Sequence, residues 1–321
     1  MSSVKILDVT TEHAHQFKVL IEVIKDILND ANLIFIKPKK KRKGSDEEDV
    51  EGCMKISAMD VTKSVLIDVK LKGNEFSSFH LEKDVISVGL NMPIFYKHIK
   101  STDKNDILNL SILHNDKSYL RVKKDNKDEL EETIDRINML DIRKGEIIIP
   151  ACQCDVQITI DAPKFHKICK DMASNVGECV EITCLREKLV LTCQGEVANR
   201  ESILRCRDPN DEDSVGSVQI EFDKYFKGEI VQGIYELKHI SSFSKLAAFS
   251  QKIEIYMKND KPLIINYGVA SLGRASLCLT PIKKSEPNMF NDEDESDDDS
   301  YSDPDIDVLD DEDDEDNFIM L

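Results

Sequence analysis

The chain has no tryptophan, 12 glycines, 9 prolines and 6 % aromatic residues in 321 positions. No glycine-rich loop of the phosphate-cradling kind is present, and no apolar run approaches the ~20 residues that a membrane span needs. No signal peptide is read at the N-terminus, so a soluble intracellular protein without membrane partners is expected. The nine cysteines (53, 152, 154, 169, 179, 184, 193, 206, 278) contain no CxxC pair and no metal-ligand spacing. Cys152 and Cys154 fall on one side of an apparent strand and cannot chelate zinc alone, so reduced thiols used as small apolar residues are expected. No nucleophile has a visible base, and His166 reads as a neighbour of cations rather than a catalyst. No enzymatic activity, cofactor or metal is expected.

The net charge of −19 is unevenly placed. Residues 285–321 hold 18 Asp and Glu and no Lys or Arg, so −18 of the −19 belongs to them and −1 to the rest. The body is nearly neutral, and an anionic partner such as duplex DNA is compatible with it. With so few apolar residues, 285–321 is expected to be a disordered acidic tail. Ser296, Ser300 and Ser302 stand among its acids. Phe318-Ile-Met-Leu321 follows a run of acids, and reads either as an idle end or as a tethered peptide for the subunit's own surface.

The most informative stretch is Asp161-Ala-Pro-Lys-Phe-His-Lys-Ile-Cys-Lys170, echoed 70 residues upstream by Asn91-Met-Pro-Ile-Phe-Tyr-Lys-His-Ile-Lys100. Each copy follows an alternating apolar run, so each reads as strand, cap and helix. Asn or Asp can accept from the first orphan amides, and Pro is tolerated in the first turn. Phe takes the buried stripe, and lysines three apart share an exposed face. One such helix would be an ordinary solvated face; two with lysines in register argue for a function.

Helical periodicity also predicts helices over 15–31, with Lys18 and Lys25 off the apolar face, and over 233–249, with Lys238 and Lys245 seven apart. Strands are expected at 4–8, 33–36, 55–59, 65–71, 107–113, 118–122, 147–150, 179–184, 189–193, 203–205, 218–222, 253–257, 263–267 and 276–279. A charged block over 37–52 interrupts the first sheet. Its run Pro38, Lys39, Lys40, Lys41, Arg42, Lys43 resembles a nuclear localisation signal, with a DNA-contacting or merely solvated loop as alternatives. A charged connector over 123–145 separates two repeating halves and could itself be helical. The pattern as a whole is α+β, four helices each surrounded by strands and each bearing a lysine pair: Lys18 and Lys25, Lys97 and Lys100, Lys167 and Lys170, Lys238 and Lys245.

Several segments in order carry a family resemblance: Lys25-Asp-Ile-Leu-Asn-Asp-Ala31, Ala58-Met-Asp60, Asp161 through Cys184, Gly195-Glu196, Lys261-Pro-Leu-Ile-Ile-Asn-Tyr267 and Leu279-Thr-Pro281. Over roughly 4–281 the sequence resembles the proliferating cell nuclear antigen family of eukaryotic-type DNA sliding clamps. The resemblance implies a clamp fold of two similar domains, each with two channel-facing helices backed by antiparallel sheets. The expected divisions are 1–133, a connector over 134–149, 150–284 and the tail. It implies a homotrimeric ring around duplex DNA that tethers DNA polymerase as a processivity factor in replication and repair, in the nucleus or a viral replication compartment. The four lysine pairs then contact phosphates without base readout.

The resemblance further implies an apolar partner pocket from Met59, Ile137, Met139, Leu140, Ile142, Pro262, Cys278, Thr280 and Pro281. It would take peptides bearing an aliphatic and two aromatics from the polymerase, the clamp loader and other partners. Subunits would join through edge strands carrying Tyr119, Leu120, Val218 and Ile220. Four features depart from the family: Cys278 stands where an aromatic is common, Arg186 where the family has a modifiable lysine, and both the 37–52 insert and the tail are additional. Two other functions fit less well: a subunit of a heterotrimeric checkpoint-type clamp, and an acidic-tailed chaperone of basic proteins.

Overall fold

The computed structural model describes residues 4–39, 50–126, 131–143, 153–175, 177–206 and 218–283, all within one unit that ends at Lys283. The chain runs four times through one passage: strand, helix, three strands. The first pass is β1 (Lys5–Thr11), α1 (Ala14–Lys25), β2 (Asp30–Ile36), β3 (Cys53–Met59) and β4 (Val65–Lys72). A lone strand, β5 (Ser78–Leu81), precedes the second: β6 (Val85–Asn91), α2 (Met92–Ile99), β7 (Asp106–Leu113), β8 (Asp116–Asn126) and β9 (Glu131–Asn138). The third is β10 (Val156–Asp161), α3 (Ala162–Asn175), β11 (Cys179–Cys184), β12 (Lys188–Gln194) and β13 (Asn199–Arg205). After β14 (Val218–Phe222) comes the fourth: β15 (Val231–Glu236), α4 (Leu237–Phe243), β16 (Lys252–Met257), β17 (Leu263–Val269) and β18 (Gly273–Leu279).

The echo at 70 residues is therefore the step from the second pass to the third. Both caps form as the sequence implies: the Ile94 amide donates to Asn91 Oδ1 at 3.1 Å, and the Lys164 amide to Asp161 Oδ1 at 2.9 Å. Asn91 Nδ2 also donates to Asp30 Oδ1 at 2.9 Å, which fastens the start of α2 to β2. Each helix buries one apolar stripe. Phe17 of α1 meets Phe95 of α2 edge-on at 6.3 Å, Phe165, Cys169 and Met172 of α3 are fully buried, and Phe243 of α4 meets Tyr267 at 5.5 Å. Burial of one such ring stabilises by roughly 1.5–3 kcal/mol.

All sheets are antiparallel. Their strand orders are β5-β1-β7-β8-β9, then β14-β10-β16-β17-β18-β4-β3-β2-β6, then β13-β12-β11-β15. The second half of the chain repeats the topology of the first, so β14-β10-β16-β17-β18 corresponds to β5-β1-β7-β8-β9, and β13-β12-β11-β15 to β4-β3-β2-β6. The nine-stranded sheet is one five-stranded and one four-stranded block joined at β18·β4, with register from Gly273↔Leu71 to Leu279↔Val65. The other two blocks remain separate, with β9 and β13 as their corresponding edges.

Three segments differ from expectation. The first helix stops at Lys25, not Ala31, because Asp30, Ala31 and Asn32 pair with Asn91, Leu90 and Gly89. The helix expected over 233–249 is a strand through Glu236, a helix through Phe243 and a 3₁₀ turn over Ser244–Ala248. Val231 and Tyr235 point inward with period two while the segment pairs with β11, and pairing overrides the helical spacing of Ile234, Leu237 and Ile240. The stretch 123–145 is no helix where it is described: β8 runs to Asn126, and β9 takes Ile134 and Ile137 into the sheet. The only non-strand part of the connector among the described residues is 139–143.

Candidate nucleic-acid interface and partner surface

The four helices form one layer. α1 packs beside α2, α3 beside α4 and the 3₁₀ turn, and α1 also meets α4 and that turn. On this layer Lys97 of α2, Lys100 at its C-terminal cap, and Lys167 and Lys170 of α3 are exposed and make no ion pair among the described residues. Lys164 joins them, one turn before Lys167 on the same exposed face. The pairwise pattern Lys167/Lys170 hid it, although the spacing 164, 167, 170 was there to read.

The other four expected lysines are engaged. Lys18 donates to the Thr102 carbonyl, and Lys25 pairs with Asp26 and lies 4.9 Å above the Tyr96 ring. Lys238 reaches Glu236 at 2.7 Å. Lys245, carried by the 3₁₀ turn, reaches Asp26 at 2.9 Å and Glu22 at 3.3 Å, which ties the fourth pass to α1. Burial works against the Lys245 ammonium, but hydrogen bonds and charge from Asp26 and Glu22 outweigh it and raise its pKa. Burial likewise opposes the Asp26 carboxylate, yet hydrogen bonds from Lys25, Lys245 and Ser242 bring its pKa below the usual value. The seam between α1 and α4 is thus close to neutral, flanked by uncompensated lysines on α2 and α3.

Beside the seam an open groove of about 610 Å³ is lined by Asp26, His166, Lys170, Lys238, His239 and Lys245, among others. His166 Nδ1 lies 2.7 Å from Ser244 Oγ. Burial first, then Lys170 and Lys245, lower the His166 pKa. This face offers chiefly ammonium groups together with imidazole, a chemistry that suits a phosphate backbone. Among the described residues no three His, Cys, Asp or Glu side chains are grouped to share a metal ion.

The opposite face of the nine-stranded sheet carries a second surface. Met59, Leu66, Cys278 and Ile264 stand directly opposite one another across β3, β4, β18 and β17, forming an outward apolar row. Met59 is 41 % exposed. Thr280 and Pro262 are exposed nearby, Pro281 is half-buried, and the Thr280 amide donates to the Ser64 carbonyl at 2.9 Å. Leu66 and Ile264 were missed in sequence; the signal was a lone outward leucine in β4, whose other outward positions are Asp68, Lys70 and Lys72.

The connector runs along the sheet edge. The Met139 amide donates to Ser118 at 3.0 Å, the Leu140 amide to Gly89 at 2.8 Å, and Asn32 Nδ2 to the Ile142 carbonyl at 3.4 Å. Position 89 needs glycine because a Cβ there would sit 2.3 Å from the Leu140 carbonyl oxygen. Leu140 is exposed and Ile142 half-buried, whereas Ile137 faces inward from β9 and is 5 % exposed, which removes it from any outer surface.

The expected subunit edge also moves. β8 lies between β7 and β9 in its sheet, with Tyr119 opposite Asn138 and Leu120 opposite Ile137 of β9, so it is an interior strand and not an edge. β9 is the edge. Val218 and Ile220 do lie on an edge strand, β14, paired through β10 alone within its sheet. Of the basic run, Pro38 and Lys39 are described, with Lys39 2.8 Å from Asp84; Lys40, Lys41, Arg42 and Lys43 lie outside the described residues, as does the tail.

Comparison with known proteins agrees with this architecture. The family model for the proliferating cell nuclear antigen N-terminal domain matches residues 6–145, and that for its C-terminal domain residues 148–282. A probable DNA polymerase sliding clamp of Acanthamoeba polyphaga mimivirus is 26 % identical over 303 residues, covering 87 % of this chain and 62 % of that protein. The chain thus spans less than two thirds of that relative's length. Probable DNA polymerase sliding clamp 1 of Paramecium bursaria Chlorella virus 1 is 25 % identical, covering 85 % of this chain and 96 % of that one. The proliferating cell nuclear antigen of Chaetomium thermophilum is 24 % identical, covering 86 % and 97 %. The crystal structure of the antigen from Entamoeba histolytica superposes with a TM-score of 0.71 at 20 % identity, over 87 % of this chain and all of that one. With both domain models matched in order over nearly all of 6–282, the chain belongs to the proliferating cell nuclear antigen family.

Proposed function

We propose that this chain is a DNA sliding clamp: three copies join head to tail into a ring, the helix layer faces duplex DNA, and the outer face holds DNA polymerase, clamp loader and other partners. One observation carries the reading. The free edges β9 and β13 are the topological counterparts of β18 and β4, which are already joined within the chain.

Side chains on those edges support the pairing. On its outward side β9 presents Glu132, Ile134 and Arg136, and β13 presents Glu201, Ile203 and Arg205. Ile134 and Ile203 are each 43 % exposed. Set opposite one another in antiparallel register, they bring Glu132 opposite Arg205 and Arg136 opposite Glu201. A surface that joins to a different surface of its own kind closes into a ring when the rotation allows.

Inside the ring, the five exposed lysines on α2 and α3 touch phosphates with no sequence preference, and the acid-paired seam limits how tightly any one position holds. Such a ring is retained by topology and slides. It performs no catalysis of its own. The run Pro38–Lys43 supports delivery to the nucleus, where a fluorescent fusion should accumulate and lose that accumulation on changing Lys40, Lys41 and Arg42 to Ala.

The direct test of the ring is native mass by sedimentation across a wide concentration range, followed by retention on circular against linear DNA. A three-subunit species retained on circles and lost from linear ends is expected. A monomer at all concentrations ends the self-closing reading.

A further inference from the structure

We propose that the outer sheet face takes partner segments that carry an acidic cluster about four extended residues from their apolar anchors. A cationic row on β3, β4 and β18 receives the acids while the apolar row holds the anchors. The inference rests on the reading of that face as the partner surface, and adds the chemistry that selects among its ligands.

The cationic row is explicit in the register. Lys55 stands opposite Lys70, and Lys70 opposite Arg274, all on the outward side. Adjacent strands lie about 4.8 Å apart, so the three cations fall within about 10 Å. Like charges directly opposite on neighbouring strands repel, and an idle surface gains nothing by stacking them. None of the three makes an ion pair among the described residues, and exposed Lys72 adds a fourth cation along β4. Two of the charges converge on one thiol: burial raises the Cys53 pKa, and Lys55 and Lys70 both oppose that rise.

Local acids do not neutralise the row. Between it and the apolar row stand Ser57, Asp68, Ser276 and Asn266, one acid against four cations. Glu254, opposite Asn266, accepts from the Tyr256 hydroxyl at 2.9 Å. Arg274 also has room to turn toward a ligand. Its other neighbour across the sheet is Gly268, where even an added Cβ would meet nothing nearer than Ser250 Oγ at 3.6 Å. A planar guanidinium beside such a gap can take a carboxylate through two parallel hydrogen bonds.

The spacing sets the ligand. Met59 to Lys55, Leu66 to Lys70 and Cys278 to Arg274 are each four residues along a strand, about 13 Å. The apolar row continues past Ile264 to Tyr256, which stands opposite it. An extended segment lying along the strands matches this face with acids four residues from an anchor. The phosphates of a nucleic acid fit the cations but offer nothing to the apolar row, so an acidic peptide is the better occupant. An exposed opposite-charge pair strengthens binding roughly two- to threefold, and three such pairs about tenfold.

The test titrates the full chain with synthetic fluorescent peptides that share one anchor, an aliphatic and two adjacent aromatics. A run of Glu, Gln or Lys lies four residues from the anchor, placed before it in one set and after it in another. In one of the two arrangements the Glu peptide should bind about tenfold more tightly than the Gln peptide, and added salt should erase the difference. Lys55→Gln with Lys70→Gln and Arg274→Gln should abolish the preference and leave Gln-peptide binding and thermal stability unchanged. Lys55→Glu with Lys70→Glu should turn the preference toward the Lys peptide. A Gln peptide that binds as tightly as the Glu peptide in both arrangements overturns the inference and leaves the partner surface standing. A single-stranded oligonucleotide weakened by the three Gln changes, with no preference for Glu, assigns the row to nucleic acid and also overturns it. If no peptide binds, the partner reading and the inference fall together.

Discussion

Reversing the charges on β9, by Glu132→Arg with Arg136→Glu, should dissociate the ring without unfolding the subunit. Each interface would lose two opposite-charge cross-strand pairs and gain two like-charge ones. Favourable pairs contribute about 0.2–1 kcal/mol and opposed like charges cost a similar amount, so about 1 kcal/mol per position is reasonable. Glu132 and Arg136 are 49 % and 64 % exposed in the single subunit, which keeps the expected value at the modest end. Two positions and three interfaces bring the loss to about 6 kcal/mol per ring, or a factor of about 10⁴ in the association constant. Because trimer formation depends on the square of subunit concentration, the midpoint should rise about 150-fold. Sedimentation velocity over four decades of concentration measures it. Adding Glu201→Arg and Arg205→Glu on β13 should restore the original midpoint, since each pair is then opposite in sign again. An unmoved midpoint in the first variant, or a failure of the second pair to rescue a folded chain, refutes the β9·β13 register.

Glu22→Gln with Asp26→Asn should raise DNA affinity at fixed salt and steepen its salt dependence, because Lys25 and Lys245 are released for phosphates at about −0.9 in log–log slope each. The Asp26 pKa is lowered by folding, so its stabilising effect is present above the ordinary carboxylate range and is lost as pH falls through the lowered value. At pH 7 its removal should cost no more than about 1 kcal/mol in chemical denaturation, given its partial exposure. DNA retention should strengthen as pH falls from 7 toward 5, because phosphate favours protonation of His166, and His166→Gln should flatten that profile. Over the same fall the free subunit should lose stability, since His166 and His239 have folded values below 6.5 and resist protonation only in the native state. Leu66→Asp should abolish partner-peptide binding while leaving sedimentation and DNA retention unchanged, as checked by fluorescence titration.

Where local chemistry and tertiary demand agree, the sequence was legible. Asn91 and Asp161 announce their helices and cap them, Phe95 and Phe165 are buried where the period puts them, and the repeat reflects a real fourfold passage. It was opaque where an element owes its form to a neighbour. β9 reads Glu-Glu-Thr-Ile-Asp-Arg-Ile-Asn and buries only Ile137 well, so its apolar signal is too weak to mark a strand. That is the ordinary condition of an edge, and it shifted the expected interface one strand inward to Tyr119 and Leu120. Lys18, Lys25, Lys97, Lys167, Lys170 and Lys238 lie on helices as expected, Lys100 caps one and Lys245 sits on a 3₁₀ turn. Nothing in a one-dimensional pattern, however, tells that Lys245 meets Glu22 and Asp26 more than 200 positions away. Leu66 and Ile264 acquire meaning only through register, which sets them beside Met59 and Cys278.

The joint β18·β4 lies inside one polypeptide, whereas its proposed counterpart β9·β13 would join separate copies with no covalent backing. In the proposed three-membered ring, every second sheet junction would therefore be locked by the chain itself, and the alternate ones held only by the encounter of separate molecules. An opening machine would need to strip a single ladder about seven residues long, and could not choose wrongly between the two kinds of seam. The gate would be written into chain connectivity, with no hinge or latch required.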